Sequence, residues 1–205
     1  MNTHPEPPLP REHPRELSHT LGTALLALAA ALLLLLAGCG GGGDSAASSS
    51  PVAASSASTP TATCGLANFS DAILQQVNAR RAAGASCGTR GSFPSAVALQ
   101  WHGVLTNAAA AHSQDMAASN YFAHNSQDGR TPGDRIAAAG YSWATYGENI
   151  AAGYATVQAV VDGWFGSDGH CANLMNGNFR EIGVACVPGS GSTTFSNYWT
   201  MELAT

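Results

Sequence analysis

Two histidines and a carboxylate stand out in this 205-residue chain as groups able to ligate a metal or move a proton. His124 ends the segment Tyr121-Phe122-Ala123-His124. Glu148 is the acid of Tyr146-Gly147-Glu148-Asn149-Ile150, and His170 closes Trp164-Phe165-Gly166-Ser167-Asp168-Gly169-His170. Neutral imidazole suits a divalent transition metal, and it also accepts hydrogen bonds. A carboxylate at an inward strand position is costly unless paired, so Glu148 reads equally as a ligand or acid–base group and as a buried hydrogen-bond hub. The three residues lie too far apart in sequence for any local helix motif, so only a fold can gather them. Three such ligands around zinc with one open position would be a hydrolytic arrangement, with His124, Glu148 and His170 as its catalytic residues. No H-E-x-x-H motif is present, and Ser167 sits in no G-x-S-x-G elbow, which argues against a serine nucleophile.

The elements that must position these groups follow from pattern. Phe69 to about Ala83 reads as a helix with Ser70 as cap, Asp71 in the first turn and an Ile73, Leu74, Val77 stripe. A second helix runs from Leu105 to about Asn120 with Leu105, Ala109, His112 and Met116 on one stripe. His112 is therefore expected in the core or supporting the site, bonded through one ring nitrogen. A third helix, Thr156 to about Phe165, is capped by Thr156 and buries Val157, Val160, Val161 and Trp164. His170 falls in a glycine-rich turn behind it. Candidate strands are Tyr146–Ala151, Ile182–Val187 and Tyr198–Leu203. The last places Tyr198, Thr200 and Glu202 on one face and Trp199, Met201 and Leu203 on the other. Helices first and strands late predict an α+β fold with an antiparallel sheet.

The chain divides into three parts. Residues 1–39 read as a targeting leader, an almost pure Ala/Leu run from Leu21 to Gly38 preceded by Arg11 and Arg15. Leu36-Ala37-Gly38-Cys39 resembles a bacterial lipobox, in which Cys39 is lipidated after cleavage; an uncleaved membrane span is the alternative. Residues 40–63 are Gly, Ser, Ala, Thr and Pro with one Val and a single charge at Asp44, have little to bury, and are expected to be a flexible tether. Residues 64–205 are long enough for one domain. Six arginines, no lysine and nine acids give that part a net charge of −3, which speaks against a nucleic-acid partner. With Cys39 set aside, Cys64, Cys87, Cys171 and Cys186 remain, the even number expected of an exported domain. Four cysteines allow three pairings. The two local ones, Cys64–Cys87 and Cys171–Cys186, are favoured, the second because it would fix the loop carrying His170.

Several segments together resemble the CAP family, the cysteine-rich secretory, antigen 5 and pathogenesis-related proteins with their bacterial SCP-like relatives. Asn78-Ala79-Arg80-Arg81 resembles its "N-x-x-R", Ala111 to Ala117 its "hSxdMA", and Tyr121 to His124 its "yFsH". Arg135 with Ala139-Gly140-Tyr141 resembles "R-x-x-x-aGY", and Gly147-Glu148-Asn149-Ile150 resembles "GENi". Trp164-x-x-Ser167-x-Gly169-His170-x-x-Asn173 resembles "W-x-x-S-x-GH-x-x-N", and Ile182-Gly183-Val184 resembles the strand that follows. The resemblance implies a three-layer α–β–α sandwich around a central antiparallel sheet. It also implies a cleft gathering His124, Glu148 and His170, with His112, Asn149 and Ser167 as supporting groups. Ser167 stands where animal and plant members carry a second glutamate, so a metal such as zinc would be held weakly. The function implied is a membrane-tethered extracytoplasmic binding module for a small amphiphile, an envelope component or a protein partner. A metal-dependent hydrolase using the same cleft and a structural envelope protein are the alternatives. Gly40 after Cys39 favours the outer membrane where one exists.

Overall fold

The computed structural model describes residues 62–205. The leader, the lipobox with Cys39 and the tether up to residue 61 lie outside the described residues.

Helix α1 spans Phe69–Ala83 and buries Phe69, Ile73 and Val77. It begins two residues earlier than a Ser70 cap requires. Asn68, in a left-handed conformation, precedes the first turn, and Ser70 lies inside the helix. A small hairpin follows, β1 (Ala85–Ser86) against β2 (Ser92–Phe93). Strand β3 (Gln100–Trp101) leads into α2 (Gly103–Ala118). Then come α3 (Pro132–Ala138), β4 (Tyr146–Ala152), α4 (Val157–Gly166), α5 (Asp168–Met175), β5 (Glu181–Pro188) and β6 (Asn197–Ala204). The third expected helix is confirmed as α4, with Thr156 Oγ1 accepting from the Ala159 N–H at 3.1 Å. The expected turn at His170 is instead the separate helix α5.

The sheet runs β3-β5-β6-β4. β4, β5 and β6 are antiparallel neighbours, and the short β3 adds a parallel edge. Helices cover both faces, giving the expected sandwich. On one face, Phe69, Val160, Val161, Trp164 and Leu174 of α1, α4 and α5 pack on Ile182, Val184, Trp199, Met201 and Leu203. On the other, α2 and α3 lie over the alternate strand residues, with Leu105 and Ile136 against Ala204 and Met116 against Ile150 and Tyr198. Period-two alternation in β6 therefore sends Glu202 toward α2 and α3. α2 lies so close to β5 that a Cβ on Gly183 would overlap the main chain of Leu105 and Thr106.

The disulfides are Cys64–Cys186 and Cys87–Cys171, which corrects the local pairings. The chain enters along the outer edge of β5, where Thr63 bridges Cys186, so Cys64 meets a cysteine 122 residues away. The expected tether thus ends before Ala62, whose carbonyl already accepts from the Cys186 N–H. Cys87 and Cys171 meet because the loop after α1 folds onto the start of α5.

Candidate functional site

Each site residue is held by a local device. α2 ends in a turn at Asn120, whose φ is 48°. The next residues are tied back to the helix: Tyr121 donates its hydroxyl to Asp115 Oδ2 at 2.6 Å. The buried His112 donates Nε2–H to the Ala123 carbonyl at 2.9 Å, one residue before His124. Since a carbonyl only accepts, that bond fixes the His112 tautomer. Burial, the largest influence on His112, depresses its pKa and keeps the ring neutral, against the pull of Glu148.

α3 is placed by a capping box. Thr131 Oγ1 accepts from the Asp134 N–H, and Asp134 Oδ2 accepts from the Thr131 N–H at 2.8 Å. Pro132 takes the first helical position. Gly133 lets this helix abut β4, because a Cβ there would stand 2.6 Å from the Tyr146 ring. One turn in, Arg135 is 4% exposed and points at Glu148.

Glu148, 6% exposed, gathers the cluster. His124 donates Nδ1–H to Oε1 at 2.7 Å, and Arg135 Nη2 donates to Oε2 at 2.5 Å. Arg135 also reaches Ser126 Oγ at 3.3 Å and the Arg130 carbonyl at 3.2 Å. Burial pushes the Glu148 pKa upward, but the His124 bond and the Arg135 charge outweigh it and leave the carboxyl below its ordinary value. Glu148 is thus a buried anion held by one cation and one imidazole. A third of the His124 side chain is exposed.

α5 docks against the same strand through amides. Asn173 Nδ2 donates to the Glu148 carbonyl at 3.1 Å and to Asn149 Oδ1 at 3.0 Å, and Asn149 Nδ2 donates to the His170 carbonyl at 3.1 Å. His170 is half-buried in the first turns of α5. That helix is fixed by Cys87–Cys171 and by Asp168, which accepts from the Thr89 N–H at 2.9 Å. Ser167 joins α4 to α5 through its main chain, its carbonyl accepting from the Cys171 N–H at 2.8 Å. The structure thus joins His124 directly to Glu148 and brings the main chain of His170 to the residue beside it.

Two participants escaped the sequence. Arg135 enters there only through a resemblance, although a buried carboxylate calls for a cation. Glu202, fully buried, lies directly across from Glu148 in the pairing of β4 with β6.

The donor set suits a charged hydrogen-bond network better than a metal centre. Both Glu148 oxygens are engaged, and a divalent cation bound there would face the Arg135 guanidinium. Among the described residues, no three His, Cys, Asp or Glu side chains converge as a metal-binding group. A hollow of about 480 Å³ lies elsewhere, at the β3–β5 edge, lined by Leu66, Phe69, Trp101, Asn107 and Val184 among others.

Comparison with known proteins gives a family match over most of the domain. The model of the family described as "CAP: Cysteine-rich secretory protein family" matches residues 74–203. The uncharacterized protein YkwD of Bacillus subtilis is 36% identical over 146 residues, covering 71% of this chain and 51% of YkwD. The chain therefore spans about half the length of that relative. The uncharacterized membrane protein YlbC of the same organism is 36% identical over 86 residues, covering 42% of this chain and 25% of YlbC. Among solved structures, an extracellular SCP-domain protein from Bacillus anthracis is 28% identical with a TM-score of 0.49, covering 65% of this chain and 40% of that one.

Proposed function

The chain belongs to the CAP, or cysteine-rich secretory protein, family, and we propose that it is an extracytoplasmic binding module rather than an enzyme. The observation that carries this is the state of Glu148. Its charge is neutralised by Arg135 and its second oxygen is held by His124, so it is poorly placed to take up a proton in catalysis or to ligate a metal. The cluster instead locks the loop after α2, helix α3 and strand β4 together, and presents His124 at the rim. The two disulfides fit an oxidising compartment. Cys39, lipidated, would hold the domain at a membrane. No helix among the described residues is long and apolar enough to cross one.

A small amphiphile fits the hollow at the β3–β5 edge. Its walls combine Leu66, Phe69 and Trp101 with the uncharged Asn68 and Asn107, and its volume lies in the usual small-ligand range. Purified protein is to be extracted and the extract analysed by mass spectrometry, with Trp101→Ala alongside. Recovery of an apolar compound that Trp101→Ala loses supports the proposal. Empty extracts, together with no binding of fatty acids or sterols, remove the amphiphile version. A zinc titration checks the network: weak binding that is the same in wild type and Glu148→Gln is expected. A stoichiometric zinc site abolished by Glu148→Gln would replace the network by a metal centre.

A further inference from the structure

Glu202 is the one buried carboxyl of the cluster that the network above does not use. It sits in the middle of the central strand β6 and is 0% exposed. Its neighbours across the sheet are Glu148 on β4 and Gly183 on β5. The main-chain bonds between β4 and β6 fall on the odd residues of β6, as the Gly153 N–H to Asn197 carbonyl bond shows. Glu148 and Glu202 are therefore a non-hydrogen-bonded pair, the arrangement that brings cross-strand side chains closest. Above them α2 offers Leu105 and Thr106 near Gly183, and its His112 is held neutral by burial. From α3, Arg135 is the cation acting on Glu202 among the described residues, and its Nη2 is already bonded to Glu148, while the imidazoles of His124 and His112 act on Glu148.

Two carboxylates and one guanidinium cannot all be charged in so dry a place without a large penalty. Were both acids ionised, neither oxygen of Glu202 would have a donor among the described residues. With a proton on Glu202 the difficulty disappears, because the Glu202 O–H then has the Glu148 carboxylate within reach as acceptor.

We propose that Glu202 is a positioning residue of the Glu148 cluster: a neutral carboxylic acid that donates its proton in a hydrogen bond to Glu148 and so holds that carboxylate between His124 and Arg135. Burial, reinforced by the Glu148 charge, raises the Glu202 pKa well above the ordinary carboxyl value, in the direction the geometry demands. The proton stays on Glu202, so no transfer is involved. The inference goes beyond the binding function and rests on the Glu148 network, which the zinc titration with Glu148→Gln tests separately.

The sign of one measurement decides it. His124 is titrated by NMR in the full chain, as wild type and as Glu202→Gln. A neutral Glu202 loses no charge on amidation and the Gln side chain still donates, so the His124 midpoint should stay where it is. An ionised Glu202 would lose a negative charge, and the midpoint should fall by about one unit, as expected for loss of a buried charge across from the carboxylate His124 is bonded to; that result overturns the proposal. Infrared spectroscopy of the wild type at neutral pH gives a second readout that needs no variant. A protonated-carboxyl C=O band is expected, and its absence would also overturn the proposal. Where Glu202→Gln folds, that band should vanish from its spectrum; a band that persists unchanged places the proton elsewhere.

Discussion

At Glu148 a buried negative charge is held by donors of two kinds, and the two should respond differently to mutation. Arg135→Leu leaves the carboxylate without its cation and should destabilise the domain by about 3–5 kcal/mol in urea unfolding, the cost of a buried charge without its partner. His124→Ala removes a partly exposed donor, where water can substitute, and should cost about 1 kcal/mol. Equal losses would mean that the guanidinium does not carry the network. Acid should weaken the fold through the same groups. Glu148 has a lowered pKa in the folded state, so its contribution is complete above the unfolded value of 4.5 and is lost as pH falls through the folded value. His112 acts earlier. Its folded pKa is also lowered, so stability begins to fall as pH drops below 6.5, by at most about 1.4 kcal/mol per pH unit for one group. A neutral Glu202 works the other way, because the folded state then keeps a proton that the unfolded chain releases above 4.5. The wild-type slope is the sum of the two, so from pH 7.5 to 5 the urea midpoint of wild type should fall relative to that of His112→Gln; identical slopes would remove His112 from the account. His124 and Glu148 were legible in sequence because their flanking motifs are local. Arg135 was not, because thirteen residues along the chain do not say which carboxylate an arginine will meet.

Among the elements, α5 departs furthest from what the sequence suggested. Gly166 and Gly169 argue for a turn, yet Asp168–Met175 is helical. Tertiary anchors override the penalty of about 1 kcal/mol for Gly169 inside the helix. Thr89 bonds Asp168, Cys87 is joined to Cys171, and Asn173 bonds β4. Even the loop glycine opposite is fitted to this contact: a Cβ on Gly88, whose φ is 56°, would run into the Asp168 carboxylate. Replacing Cys87 and Cys171 together by Ala should lower stability by about 2–5 kcal/mol. In a domain of this size that is a fall in Tm of about 5–15 °C. The change should also loosen α5 locally, seen as faster amide exchange from Asp168 to Met175 than across β6. A uniform rise in exchange would show that the bridge braces the whole domain rather than this helix. The local pairing Cys171–Cys186 failed because sequence distance is a poor guide once a chain entry strand is laid beside a late strand. Thr63 against Cys186 is such a contact, and it brings Cys64 to Cys186.

For the whole molecule, the proposed anchoring is open to a direct test in a bacterial host that lipidates exported proteins. Wild type should fractionate with membranes and Cys39→Ser should be released in soluble form; membrane retention of the variant would favour an uncleaved span over a lipid. The sequence by itself determined the α+β class, the positions of α1, α2, α4, β4, β5 and β6, and which residues of β6 share a face. Those features follow from periodicity, capping and turn residues that act over a few positions. It also determined family membership, because ordered short motifs extend over most of the domain. The tertiary structure alone decided which cysteines join, that His170 lies on a helix, and that Arg135 and Glu202 flank Glu148. Each of these is a meeting of distant segments in a space without water. The register of β4 on β6 sets which two carboxyls face each other, and α3 sets which one receives the cation. A pattern of residue types records which side chains turn inward; it does not record how dry their surroundings are or which charges they find there.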